Sequence, residues 1–391
     1  MDAGPDSIAA ELAALDRLVP IVEAAAGRGV YLVGGAVRDI LLGRPSFDVD
    51  LVVEGDALPL ARRLAAALGG ELTAHDRFGT AVVDRGDGSH VDVVTARRET
   101  YPEPAALPVV EPGTIEDDLR RRDFTINAIA ASLAPDDLGT LVDPCDGRGD
   151  LAGETIRVLH DRSFVDDPTR IFRAVRYEAR LGFRMDEHTE RLAREGVAGI
   201  RLLSAERMRE EVVALLSEND AEQALDRLAD LAVAPRLEPG LIGRLDALRD
   251  ELDPGAPRWR LRLTALLAAH PGLADRLALR RQDARAVEDA VALAPVLAEA
   301  TDPVEIADLA GRAPEAALLA LAGGGSARLR EWFTRLRDVR LEVTGTDLAE
   351  LGVPESPRVG EILEELRRRK LRGELDGREA ELAAARELID E

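Results

Sequence analysis

Leu32-Val33-Gly34-Gly35-Ala36-Val37-Arg38-Asp39, followed by Asp48-Val49-Asp50, is the stretch that decides the fold. It opens on a short apolar run, Val30 to Val33, that reads as a strand. The paired glycines permit a tight turn and close backbone approach to an anion such as a triphosphate. Residues 36–42 read as a helix, whose start points free N–H groups and a positive dipole end at the same anion. Arg38, one turn in, adds a bidentate phosphate donor. Phe47 to Val53 alternates acidic and apolar residues, the period of a strand, so Asp48 and Asp50 share one face. Two carboxylates on one edge can hold Mg²⁺, and a two-ion site activates an attacking hydroxyl and neutralises a leaving pyrophosphate. A strand at His90–Thr95 offers Asp92 as a third carboxylate if it pairs alongside. A lone Gly-Gly is a turn and a lone Asp-x-Asp is a solvated strand edge. Their conjunction at this spacing points to phosphate and metal chemistry.

Working outward, residues 8–26 read as a helix kinked at Pro20, 59–68 as a helix and 79–83 as a strand. Residues 1–155 therefore form an α/β head with a small mixed sheet. Residues 95–118 carry four prolines and little periodicity, which predicts a long loop. Residues 123–133 read as a short buried helix. From Asp166 onward strand signals nearly vanish, and segments such as 168–181, 186–195, 204–217, 221–231, 258–269, 282–299, 326–340 and 358–370 have helical spacing. The expected class is α+β: the head at 1–155, then an all-α neck at 156–217, body at 218–325 and tail at 326–391.

The 391 residues are 46% hydrophobic but only 3% aromatic, so the cores are Leu, Ala and Val, which suits helices. Acidic residues outnumber basic ones by 74 to 51, a net charge of −23 that on its own argues against a nucleic-acid partner. The positive charge is uneven, however: Arg120-Arg121-Arg122 and Arg367-Arg368-Arg369-Lys370 are local basic runs, and Lys370 is the only lysine. The single cysteine, Cys145, excludes an internal disulfide and a cysteine-based zinc site. No signal peptide and no membrane-spanning run is read, so a cytoplasmic protein without a membrane partner is expected.

Further motifs accompany the glycine turn: Arg121-Arg122-Asp123-Phe124-Thr125-Ile126-Asn127-Ala128, then Asp143-Pro144 with Gly147 and Asp150-Leu151. They continue in Asp166-Asp167-Pro168-Thr169-Arg170-Ile171-Phe172-Arg173-Ala174-Val175-Arg176-Tyr177 and in Glu206-Arg207-Met208-Arg209-Glu210-Glu211. Together with residues 32–50 the chain resembles a class II tRNA nucleotidyltransferase, the superfamily of CCA-adding enzymes and bacterial poly(A) polymerases. Strong motifs cover roughly 30–216, and Val343 to Glu365 resembles the family's tRNA-binding tail more weakly.

The resemblance implies addition of CMP and/or AMP to the tRNA 3′ end from CTP and ATP, using two Mg²⁺ ions and no template. Asp48, Asp50 and Asp92 are the expected catalytic carboxylates, with Asp48 and Asp50 on the metal. Gly34, Gly35, Arg38, Arg122, Asn127, Asp167, Arg170, Arg173 and Arg176 are the expected nucleotide site. Asp167 and Arg170 match the residues that choose the base. A carboxylate accepts from cytosine N4 or adenine N6, and a guanidinium donates to cytosine N3 or adenine N1, whereas uracil and guanine reverse both partners. Asp166 stands where the family usually has Glu. Asp123 is expected to orient Arg122 or to cap the following helix, and Glu206 and Arg207 to brace the nucleotide-binding helix. The loop at 97–118 matches one that accompanies the switch from CTP to ATP, and its full length argues that AMP addition is included. Arg367, Arg368, Arg369 and Lys370 offer a phosphate track for RNA, with a solvated helix end as the competing reading. An enzyme adding only A or only CC, a poly(A) polymerase, and an idle RNA-binding scaffold are the alternatives. The acidic charge opposes the polymerase, and the intact Asp48, Asp50, Arg122, Asp167 and Arg170 set opposes the scaffold.

Overall fold

In a computed structural model of the protein, residues 8–15, 18–27, 29–44, 49–75 and 79–390 are described. The chain forms two compact units, Met1–Ser204 with Asp230–Val233, and Ala205–Ala229 with Ala234–Glu391. The fold is α+β.

The first unit runs α1 (Ala9–Ala14), α2 (Val19–Ala25), β1 (Val30–Val33), α3 (Gly35–Leu41), β2 (Val49–Val53), α4 (Leu58–Leu68), β3 (Glu71–His75), β4 (Thr80–Asp84) and β5 (His90–Thr95). Then come β6 (Arg97–Thr100), β7 (Val109–Pro112), α5 (Ile115–Arg120), a 3₁₀ turn (Thr125–Asn127), β8 (Ala130–Ser132), β9 (Leu141–Val142), α6 (Gly147–Ala152), β10 (Thr155–Ile156), α7 (Ser163–Asp166), α8 (Thr169–Leu181), β11 (Arg184–Met185) and α9 (Glu187–Gly196). Seven strands form one sheet in the order β3-β4-β5-β2-β1-β8-β9. The β2–β5 pair is parallel and its neighbours are antiparallel, which makes the sheet mixed. Val33, Val52, Ala96, Ile115, Leu119, Ala128 and Ala130 form one buried cluster of its core.

Three sequence expectations are corrected. The 8–26 segment is two helices, and Pro20 sits in the first turn of the second, where its missing N–H costs nothing. Residues 123–133 are not a helix but a 3₁₀ turn leading into β8, which pairs with β1. A run buried on every side carries no period, so strand and helix look alike in sequence. The long loop holds a hairpin, β6 against β7, and then α5, capped by Thr114 and Asp117 in a reciprocal box. Leu241–Leu252 and Pro303–Arg312, left unassigned from the sequence, are helices as well.

The second unit is helical throughout its described elements, with α10 (Ala205–Ser217), α11 (Ala221–Asp230), α12 (Leu241–Leu252), α13 (Arg258–Ala269), α14 (Arg281–Glu299), α15 (Pro303–Arg312), α16 (Pro314–Ala322), α17 (Ala327–Thr334), α18 (Gly345–Glu350), α19 (Pro357–Leu371) and α20 (Gly377–Asp390). Its C-terminal helices share a cluster of Val343, Leu348, Val353, Ile362, Leu366, Ala384 and Ala385. Among the described residues no helix is long and apolar enough to cross a membrane.

Candidate active site

Strand register sets the carboxylates. β2 lies between β1 and β5, so Asp50 stands opposite Val33 on one side and opposite Asp92 on the other. Val33 is the last residue before the glycine turn, which puts Asp50 beside it. Gly34 has φ 68° and ψ −131°, a conformation that favours glycine. A Cβ there would sit 2.7 Å from Arg122 Nη1, so the missing side chain leaves room for that guanidinium, while Asp50 Oδ2 would lie at an ordinary contact distance of 3.7 Å. His90 Nε2 lies 3.7 Å from Asp92. Asp48 lies outside the described residues. The paired carboxylates of Asp50 and Asp92 are the hard oxygen donors that Mg²⁺ takes, and the donor set fits that ion. No group of three metal-ligating side chains is complete among the described residues.

Gly34, Gly35 and Asp50 open onto a cavity of about 420 Å³, also lined by Arg38, Asp39, Glu99, Tyr101, Arg121, Arg122, Asp123, Asn127, Asp167, Arg170, Arg173, Tyr177 and Arg180. The described lining carries six arginines against five carboxylates. Arg38, nearly fully buried, donates from Nη1 to Asn127 Oδ1 (2.7 Å) and from Nε to Asp39 (2.8 Å). Asn127 Nδ2 donates to Asp123 Oδ1 (3.0 Å), and Asp123 Oδ2 accepts from Arg173 Nε and Nη2 (2.8 and 2.6 Å). Asp123 thus orients Asn127 and Arg173. The expected partner Arg122 pairs instead with Asp118, a fully buried carboxylate that also takes two bonds from Arg121. Arg122 Nε is buried and has no hydrogen-bond partner among the described residues.

Burial pushes the Asp123 carboxyl up, but Arg173 and the Asn127 amide outweigh it and lower it to about 2 from the ordinary 3.8. The ionised form is therefore favoured in the folded protein, and its stabilisation is complete above 3.8 and lost as pH falls towards 2. The stability gap between the wild type and Asp123→Asn is expected to hold from neutral pH to about 4. Below that it narrows, by on the order of 2 kcal/mol. Denaturant melts at stepped pH read this directly, and a gap that widens on acidification contradicts the assignment.

Asp167 and Arg170, the pair expected to choose the base, do not share a helix. Asp167 is extended and precedes α8; its Oδ1 accepts from the Thr169 N–H (3.0 Å) and hydroxyl (2.6 Å), fastening the start of the helix. Arg170, 5% exposed, donates to Ser163 Oγ (2.8 Å) and to the Arg121 carbonyl (2.9 Å). Both still line the same cavity. Asp166 is buried and accepts from Arg162 (2.8 Å). Arg173, Tyr177 and Arg180 face the cavity along α8, whereas Arg176, one step further round, is not among its lining residues.

Sequence reasoning missed Asp118, Glu99, Tyr101, Tyr177 and Arg180. The last two had a signal, the i, i+4, i+7 spacing from Arg173. Glu99, on β6, accepts from Arg97 and Arg121 (3.0 Å each) and from the Tyr101 hydroxyl (3.1 Å). Burial, with Glu99 adding, pushes the Tyr101 phenol up to about 12 and keeps it a donor.

Two other motifs do structural work. Asp143 accepts the N–H groups of Gly147 and Arg148 (2.8 and 3.0 Å), and a side chain at Gly147 would run into the Thr125 carbonyl. Asp150 accepts from the Thr125 hydroxyl (2.6 Å). In the second unit, Glu206 and Arg207 begin α10, and Arg367–Lys370 end α19. Arg367 pairs with Asp308 and Glu364, Arg368 with Glu364, Arg369 with Glu365 and Glu387, and Lys370 with the fully buried Glu381.

Comparison with known proteins gives this geometry a context. Residues 30–157 match the family model of the poly A polymerase head domain, and residues 182–242 match the probable RNA and SrmB-binding site of polymerase A. An A-adding tRNA nucleotidyltransferase of Geobacter sulfurreducens is 36% identical over 92% of this chain, which spans 45% of that relative's length. A CC-adding tRNA nucleotidyltransferase of the same organism is 33% identical, with 93% of each chain covered. The Thermotoga maritima CCA-adding enzyme complexed with tRNA superposes with a TM-score of 0.77 at 30% identity, covering 98% of each chain. The chain belongs to the class II tRNA nucleotidyltransferase family, the superfamily of the CCA-adding enzymes and poly(A) polymerases.

Proposed function

We propose that this chain adds CMP and/or AMP to the 3′ end of tRNA without a template, releasing pyrophosphate. The observation that carries the reading is a single cavity holding the Gly34-Gly35 turn, Asp50 in register with Asp92, and the Asp167–Arg170 pair. The turn and the start of α3 present backbone N–H groups to the triphosphate, and Arg38, Arg122 and Arg173 neutralise it. Asn127 spends its oxygen on Arg38 and one hydrogen on Asp123, which leaves one amide hydrogen for a ribose hydroxyl. Asp167 accepts from the exocyclic amine of C or A while Arg170 donates to the ring nitrogen. The RNA 3′-hydroxyl then attacks the α-phosphate in line, with Asp50 and Asp92 beside the reacting centre. Two Mg²⁺ ions, held by Asp48 and Asp50, supply charge neutralisation and hydroxyl activation when bound. Arg367–Lys370 contribute little to RNA contact, because carboxylates already occupy them.

A second reading, addition of A alone, is favoured by the A-adding relative, 36% identical over 92% of the chain. One extension assay separates them. tRNA transcripts ending at the discriminator base, at C and at CC are incubated with CTP, ATP or both, and products are sized at single-nucleotide resolution. Complete CCA on the shortest transcript supports a full CCA-adding enzyme, and AMP added only to the CC-ending one supports the second reading. A long A ladder indicates a polymerase, and no addition to any transcript refutes the proposal.

A further inference from the structure

The ring of Tyr177 serves two arginines at once. The Arg38 guanidinium lies 5.3 Å from its centroid and that of Arg173 lies 5.8 Å from it, each placed over the ring. Arg173 Nη2 also donates to the Tyr177 hydroxyl at a long 3.2 Å. Phe124, fully buried, meets the ring edge-on, with centroids 5.8 Å apart and planes at 86°. On their other side the same arginines are joined through Asn127 and Asp123. Arg38, Asn127, Asp123, Arg173 and Tyr177 therefore close a circuit across α3, the 3₁₀ turn and α8.

Two like charges held in one cavity repel, and each needs an electron-rich neighbour. Asp123 supplies one for Arg173, while Arg38 relies on Asp39 and the Asn127 oxygen. An aromatic face attracts both cations without taking up the N–H groups that a triphosphate needs. A second carboxylate in this place would neutralise the arginines and repel the substrate. Building on the nucleotide-site reading above, we infer that Tyr177 is a positioning residue for the triphosphate, its ring holding Arg38 and Arg173 in place. The ring carries the effect, and the hydroxyl is secondary.

The test titrates ATP into the full chain without RNA by calorimetry, and measures kcat and KM on tRNA transcripts. The proteins compared are the wild type, Tyr177→Phe and Tyr177→Leu. Leucine is expected to raise the Kd and KM for ATP about tenfold, with kcat within about threefold and the KM for tRNA unchanged. Phenylalanine is expected to stay within about threefold of the wild type in all of these. ATP binding by Tyr177→Leu equal to the wild type overturns the inference, as does a phenylalanine variant as weak as leucine. Should leucine fail to fold, trifluorinated phenylalanine at position 177 replaces it, keeping the shape and weakening the ring's attraction for cations. Weaker ATP binding than Tyr177→Phe supports the inference, and equal binding overturns it. A wild type that binds no ATP fails the nucleotide-site reading itself, a result distinct from either.

Discussion

Asp50→Ala is expected to lower the rate of nucleotide addition by at least ~10³-fold while ATP still binds. The reason is positional. Hydrogen-bonded strands on both sides fix Asp50 against Val33 and Asp92, and its carboxylate lies close to the Gly34 backbone, where the proposed function puts the triphosphate. Single-turnover extension of a CC-ending transcript with saturating ATP and Mg²⁺ measures the chemical step, and calorimetry without RNA measures binding. Turnover within tenfold of the wild type would sink the metal assignment. A loss of ATP binding as large as the loss of rate would recast Asp50 as a structural residue.

Arg170→Ala is expected to weaken rejection of UTP by about 100-fold relative to CTP and ATP, with a smaller change in triphosphate affinity. The guanidinium is held from below by Ser163 and the Arg121 carbonyl, so its remaining N–H groups present a fixed donor pattern. Uracil and guanine carry an N–H where this pattern needs an acceptor. Removing the donors removes the penalty for the wrong base, whereas the phosphate arginines stay in place. Losing two buried bonds also costs about 1–3 kcal/mol of stability, so melting curves should accompany the assay. Arg170→Lys tests geometry: it keeps the charge but loses the planar fork. UTP misincorporation on a CC-ending transcript is the readout, and unchanged discrimination in Arg170→Ala removes Arg170 from base choice.

Much of this site is local in sequence. The glycine turn and Asp50 lie within one β-α-β stretch, and their spacing alone suggested phosphate chemistry. Arg122, Asp123 and Asn127 were found through a motif, but their partnerships were not, because Arg173 reaches Asp123 across fifty residues. Asp118 and Glu99 had no signal: a polar residue in a helix start or a proline-bearing loop looks solvated until the arginines that bury it are known. The β6–β7 hairpin was hidden by its prolines, since Pro112 closes the pair at the strand end, where an absent N–H is tolerated. Part of the pairing of the basic run at 367–370 was hidden for the same long-range reason. Glu364 and Glu365 pair with it from one turn away on α19, but Asp308, Glu381 and Glu387 belong to other helices.

The near balance of charge around the cavity has a kinetic consequence. Six arginines beside five carboxylates, on a chain of net charge −23, present little attractive potential to an anion more than a Debye length away. Capture of a nucleotide is then a matter of unassisted encounter followed by short-range bonding, not of electrostatic steering. Raising the ionic strength should leave the association rate for ATP unchanged or increase it, because screening relieves the repulsion of the acidic chain. Stopped-flow binding across a salt series would reveal this, and a steep fall in the association rate would mean that a positive field reaches further out than the cavity walls.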